Sequence, residues 1–171
     1  MYANLLATSL DRKTANEAHP GFVEILKSMS PDEARILKVF VSGQSKPIID
    51  IQLHLPKGGY HTLNRNVSII GAEAGCAHRD LVTNYLDNLC RLGLLEIEPM
   101  ARIKEDKAYD PIIKSPELTK MKEDISKQDG LRIEFKKKKI DITGLGRQFS
   151  SACIIDKRTK EPKAQSGSEG D

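Results

Sequence analysis

Residues 131–142 carry two apolar-alternating runs of opposite parity. Leu131, Ile133 and Phe135 are odd-numbered, Ile140 and Ile142 even-numbered, and Lys136, Lys137, Lys138 and Lys139 lie between them. Successive side chains of a strand point to opposite faces. A straight strand therefore cannot put both sets on one buried face. The chain must turn or bulge between them, at Lys136–Lys139, and the lysines become the tip of a β-hairpin.

The stretches around this segment have clearer local signals. "SPDEARILKVFVSG" opens with Ser30 at an N-cap, Pro31 in the first turn and Glu33 three residues on, which is a capping box. Its inner face is Ile36, Leu37, Phe40 and Val41. "HRDLVTNYLDNLCRLGLLEIEP" predicts a helix capped by Asp80, with Val82, Tyr85, Leu86, Leu89 and Leu92 as its buried stripe. Gly93 suits the left-handed residue after that helix, and "LLEIE" continues as a strand stopped by Pro99. "KPIIDIQLHL" alternates like a strand and ends at Pro56 and Gly58-Gly59. Residues 60–75 are polar and read as a loop with one brief element. A helix over 116–127 is predicted from Ser115 and Pro116, and a last helix from Thr143, with Leu145, Phe149 and Cys153 inward.

Residues 1–29 hold two apolar stripes: Tyr2, Leu5, Leu6 and Leu10, then Phe22, Ile25, Leu26 and Met29. The first has no N-cap, so it is expected to continue a longer helical region. Residues 156–171 have almost no apolar content and are expected to be disordered. The expected division is therefore 1–29, 30–155 with an insertion over 99–130, and the tail.

Charge and cysteines exclude several functions. The net charge is +3, and the excess sits in residues 99–139, with 12 basic against 8 acidic side chains; a DNA-coating protein spreads its positive charge more widely. Cys76, Cys90 and Cys153 are odd in number and widely spaced, which fits a reduced compartment and offers no zinc-finger pair. No apolar run approaches the ~20 residues that span a bilayer, and the start lacks a signal-peptide pattern. A cytoplasmic protein is expected.

Candidate chemistry is sparse. The helix over 80–92 would turn Arg79, Asn84, Asn88 and Arg91 outward, residue types that read base edges. Asp80 and Asp87 on the same side would repel phosphates. Lys136–Lys139 would be phosphate contacts at the hairpin tip, or a charged turn that guards an edge. Cys76 and His78 are near Asp80, but two residues apart on a helix they point away from each other. No carboxylates are spaced for acid–base work, so no catalytic set, metal site or cofactor is expected. "LHLPKGGYHTL" brings Leu55, Tyr60 and Leu63 around a glycine pair, a candidate surface for protein contacts.

"YLDNLCRLGLLEI" followed by "IDITGLGRQF" resembles a winged helix, in which a helix feeds a strand through glycine and a β-wing returns to a closing helix. The expected fold is thus α+β: a winged-helix-like domain with two additional N-terminal helices and a long insertion in the wing. "YANLLATSLDRKTANEAHPGFVEILKSMSPDEARILK", "YLDNLCRLGLLEIE" and "ITGLGRQFSSACI" together resemble the Abi-alpha (abortive infection protein alpha) family from Tyr2 to Ile154. That resemblance implies bacterial defence against phage. The expected partner is a phage or host protein met without catalysis, with homo-oligomerisation left open. The alternatives are a DNA-binding regulator, with nucleic acid as partner, and an enzyme whose site lies outside this chain.

Overall fold

The computed structural model describes residues 1, 3–5, 7 and 19–154. Apart from Leu5, which is buried, most of the predicted first stripe and the whole tail from 155 onward lie outside these residues. The elements in chain order are α1 (Phe22–Lys27), α2 (Pro31–Val39), β1 (Lys46–His54), β2 (Tyr60–Val67), α3 (Ile70–Glu73), α4 (Val82–Arg91), β3 (Leu95–Glu98), α5 (Asp110–Ile113), α6 (Pro116–Ser126), β4 (Arg132–Ile142) and α7 (Gly144–Cys153). The fold is α+β, built on a four-stranded antiparallel sheet in the order β2-β1-β4-β3. No helix among the described residues is long and apolar enough to cross a membrane.

The expected turn at Lys136–Lys139 is absent. β4 runs through the quartet as one strand, paired with β1 from Lys46↔Ile140 to His54↔Arg132 without a register shift. The parity rule itself holds, but its premise of a single buried face does not. Even-numbered Ile140 and Ile142 join Ile48 and Leu95 in a core built with α1, α2, α4 and α7. Odd-numbered Ile133 and Phe135 pack on the opposite face with Ile49 and Ile51, under Tyr109, Ile112 and Leu118. The chain between β3 and β4 thus supplies a lid for the second face. A 3-10 turn at Asp106–Tyr109 leads into α5, and Ser115 caps α6 by accepting from the Leu118 amide at 3.3 Å. Tyr109 is fully buried; its hydroxyl donates to the Lys138 carbonyl and accepts from the Ile103 amide, both at 2.9 Å. Those bonds tie the lid to the strand beneath it and satisfy a polar atom that would otherwise be costly to bury.

The first core has well-made ends. Ser30 and Glu33 form the reciprocal capping box at the start of α2. Gly93 takes φ +72° after α4. The amides of Gly93 and Leu94 reach back to the carbonyls of Cys90 (2.9 Å) and Leu89 (3.0 Å), the paired bonds of a Schellman motif. Thr143 caps α7 by accepting from the Gly146 amide at 2.9 Å and donates its own proton to the Gly93 carbonyl at 2.6 Å. One hydroxyl therefore joins the exit of α4 to the entry of α7. Phe22 meets Phe149 edge-on, ring centroids 5.3 Å apart, so α1 belongs to the same core.

Three other expectations need correction. β2 is a true strand where a loop was expected; its Asn, Thr, His and Arg hide it because it is an outer strand with two bulges against β1. Asp80 does not cap α4, which instead grows out of a 3-10 turn at Arg79–Leu81 with no side-chain cap. Leu145 and Val41, both expected inward, are 39% exposed, because each lies at a helix end beyond the packed turn.

Candidate functional site

The residues expected to read DNA are mostly engaged within the chain. Arg79 and Asn84 are exposed, the first in the 3-10 turn before α4 and the second on α4 itself. Asn88 is half-buried: its amide nitrogen donates to Glu33 Oε1 at 2.6 Å and to the Ser28 carbonyl at 3.1 Å. Its oxygen accepts from Arg91 at 2.7 and 3.0 Å. Asn88 and Arg91 therefore extend the Ser30–Glu33 cap and brace α4 against α2.

The lysines divide by face, as a continuous strand requires. Lys137 and Lys139 point towards the lid face. Lys137 Nζ lies 3.1 Å from Asp106 and over the Tyr109 ring, and that ammonium holds the Asp106 carboxyl below its usual range. Lys139 pairs with Asp141 at 2.7 Å and Glu98 at 3.6 Å, and the Asp141 hydrogen bond raises its affinity for a proton. Lys136 and Lys138 point to the other face. Lys138 is buried; its Nζ lies 2.6 Å from Asp50 Oδ1 and 2.7 Å from Asn66 Oδ1. Lys136 has no ion pair among the described residues.

The face of Lys136 and Lys138, opposite the lid, carries a polar cleft of about 390 Å³. Its floor exists because of a bulge. β2 carries one more residue than β1 between Ile49↔Val67 and Ile51↔Asn64. Asn66 takes φ 55° there, a left-handed conformation that asparagine tolerates better than most residues. Its amide, turned out of the ladder, donates to Asp50 Oδ1 at 3.0 Å. Its side chain bridges Lys138 to Asp87 on α4, with the Asp87 contact at 3.2 Å. Asp50, Lys138 and Asn66 are thus mutually satisfied, as a buried charge pair must be to persist.

Above that floor the polar groups face the open cleft. Gln52 is 8% exposed, lines the cleft, and has no side-chain hydrogen bond among the described residues. Thr62 stands opposite Gln52 in the β1–β2 register, and Arg65 and Lys136 line the flanks. At the open end, the Tyr60 ring stacks on His54 at 5.4 Å. His54 Nε2 also lies 3.2 Å from Glu134, outside hydrogen-bond geometry. Residue type alone does not mark Arg65 or Gln52 as site residues. The signal was present in β1, where Asp50, Gln52 and His54 fill three successive same-face positions beside apolar neighbours.

The Cys76–His78 segment packs against the start of α2. Burial pushes the Cys76 thiol up, and the nearby Asp32 carboxylate adds to the effect. Its sulfur lies 3.8 Å from the Asp32 carbonyl. The buried Asp32 carboxylate accepts from the His78 amide at 3.0 Å and the Ala77 amide at 3.1 Å, and pairs with Arg35. The loop holds the start of α2. No group of three His, Cys, Asp or Glu side chains that could hold a metal occurs among the described residues.

No curated protein matches the chain. A solved structure of an uncharacterized protein from the hydrocarbon-degrading marine bacterium Alcanivorax borkumensis SK2 superposes with a TM-score of 0.50 at 22% identity, over 77% of this chain and 90% of that one, a likeness of fold. The family described as Abortive infection alpha matches residues 1–153, which include the capped helices, all four strands and the cleft. The chain belongs to the abortive infection alpha family.

Proposed function

We propose that this chain acts in phage defence as a non-enzymatic sensor or effector that works through contacts with a phage or host protein. Family membership supports the defence role. The frame is read as winged-helix-like: α2, β1, α3, α4, β3 and β4 follow the order of such a domain, with a lid of 33 residues, 99–131, in place of a short wing. The observation that carries the protein-contact reading is the internal use of the basic side chains. Arg91, Lys137, Lys138 and Lys139 all bond within the chain, which removes most of the phosphate contacts that DNA affinity depends on.

The β1–β2 hairpin offers a different surface. Tyr60 is 54% and Leu63 44% exposed on an outer strand, where an apolar side chain adds contact area and the ladder edge adds hydrogen-bonding groups. Phage plaque counts on cells expressing the wild-type chain and Leu63→Asp test this reading. Plaques should fall with the wild type and recover with the variant, at unchanged protein level and melting temperature. Equal protection by both, or none by either, would overturn it. A DNA-binding regulator would instead give a salt-steep gel shift that Asn84→Ala weakens.

A further inference from the structure

We propose that the polar cleft between β2, β1 and β4 binds a small phosphate-bearing ligand of mononucleotide size. Its charge comes first. The Asp50 carboxylate is matched by Lys138, and Glu134 lies against His54 and Arg132 rather than Lys136. Asp87, exposed on α4, does not line the cleft and accepts from Asn66. Lys136 and Arg65 remain as cleft-lining cations without a carboxylate partner among the described residues. They sit on strands two apart in the sheet, about 10 Å across, so they flank the floor rather than crowd each other.

The second, independent observation is Gln52. Gln52, 8% exposed as a residue, lines the same cleft between the two cations, and its amide has no hydrogen bond among the described residues. An amide offers both donors and an acceptor, which suits the ring edge of a nucleobase or a ligand hydroxyl. The Tyr60 ring, already stacked on His54, supplies a flat apolar face at the rim. A cavity of about 390 Å³ lies within the usual range for small-molecule sites. Two cations, one amide and one aromatic face form a complementary set for a phosphate joined to a planar ring. The site stands whether or not the chain blocks phage growth.

Isothermal titration calorimetry of the full chain with the four ribonucleoside 5′-monophosphates, inorganic phosphate and adenosine tests the proposal. At least one monophosphate should bind saturably, inorganic phosphate should compete more weakly, and adenosine should not bind measurably. Lys136→Gln and Arg65→Gln, both at accessible positions, should each weaken binding about tenfold, the loss expected for one charge-assisted contact. Gln52→Leu should weaken it without altering the charge. Saturable binding to none of the phosphate probes at millimolar concentration would overturn the proposal. So would binding that Lys136→Gln and Arg65→Gln leave unchanged.

Discussion

Replacing Lys138 with Met separates a buried lysine from a solvated one. Its ammonium lies 2.6 Å from Asp50, and the two side chains are only 8% and 12% exposed. Met keeps the length of the stem but removes the charge and the bond to Asn66. Asp50 is left with the Asn66 amide alone among the described residues. Breaking a buried pair by deleting one partner costs about 3–5 kcal/mol, because the remaining charge stays desolvated. At about 2–4 °C per kcal/mol for a chain of this size, the melting temperature should fall by about 6–20 °C. Lys136→Met removes an accessible charge and should change stability by less than about 0.5 kcal/mol. Adding Asp50→Asn to Lys138→Met should recover part of the loss, because the orphaned charge goes with it. Urea melts of the four proteins give these values. Equal and small effects at 136 and 138 would refute the burial of Lys138, and with it the two-faced strand.

Other perturbations probe separate parts of the fold. Gly146→Ala would place a methyl group on the Leu94 carbonyl oxygen and 2.8 Å from Ile142 Cγ1. Neither the backbone nor the core residue can yield freely, so denaturant melts should show a loss of about 1–3 kcal/mol. Asp32 is held below the usual carboxylate range, first by the His78 amide and then by the Ala77 amide and Arg35. Its folded affinity for protons is the lower one, so its contribution is present above the ordinary carboxylate range and is lost as pH falls through it and below. Asp32→Asn should therefore be less stable than wild type near neutrality and lose less on acidification, as followed by circular dichroism. Burial pushes Cys90 and Cys153 up to about 11. Together with buried Cys76, they should react slowly with a disulfide reagent at pH 8 in the native protein and rapidly in urea.

Local chemistry was legible in the sequence because it acts over a few residues. Ser30 with Glu33, Ser115, Thr143 and Gly93 each occupy the cap that residue type and spacing predicted. What failed were inferences about faces. The even set of β4 is buried and the odd set partly buried, because residues 99–131 cover the other side of the sheet. Tyr109, in a polar stretch, gave no sign that it would be the fully buried centre of that cover. The cleft was hidden for a related reason. Gln52, Arg65 and Lys136 come from three strands whose pairing rests on a bulge at Asn66, and a bulge breaks the alternation that makes strands readable. In a run of four lysines, nothing in residue type marks the third as buried.

The central claim is that Lys136–Lys139 form the interior of one continuous strand between β1 and β3. Hydrogen–deuterium exchange over residues 132–142 tests it directly. The amides of Lys136 and Lys138, which face β1, and the Lys139 amide, which donates to the Ala101 carbonyl at 3.2 Å, should exchange as slowly as those of β1. Complete exchange within seconds at the quartet, between protected flanks, would mean that the chain turns there, contradicting the lid, the buried Lys138 and the cleft built on it.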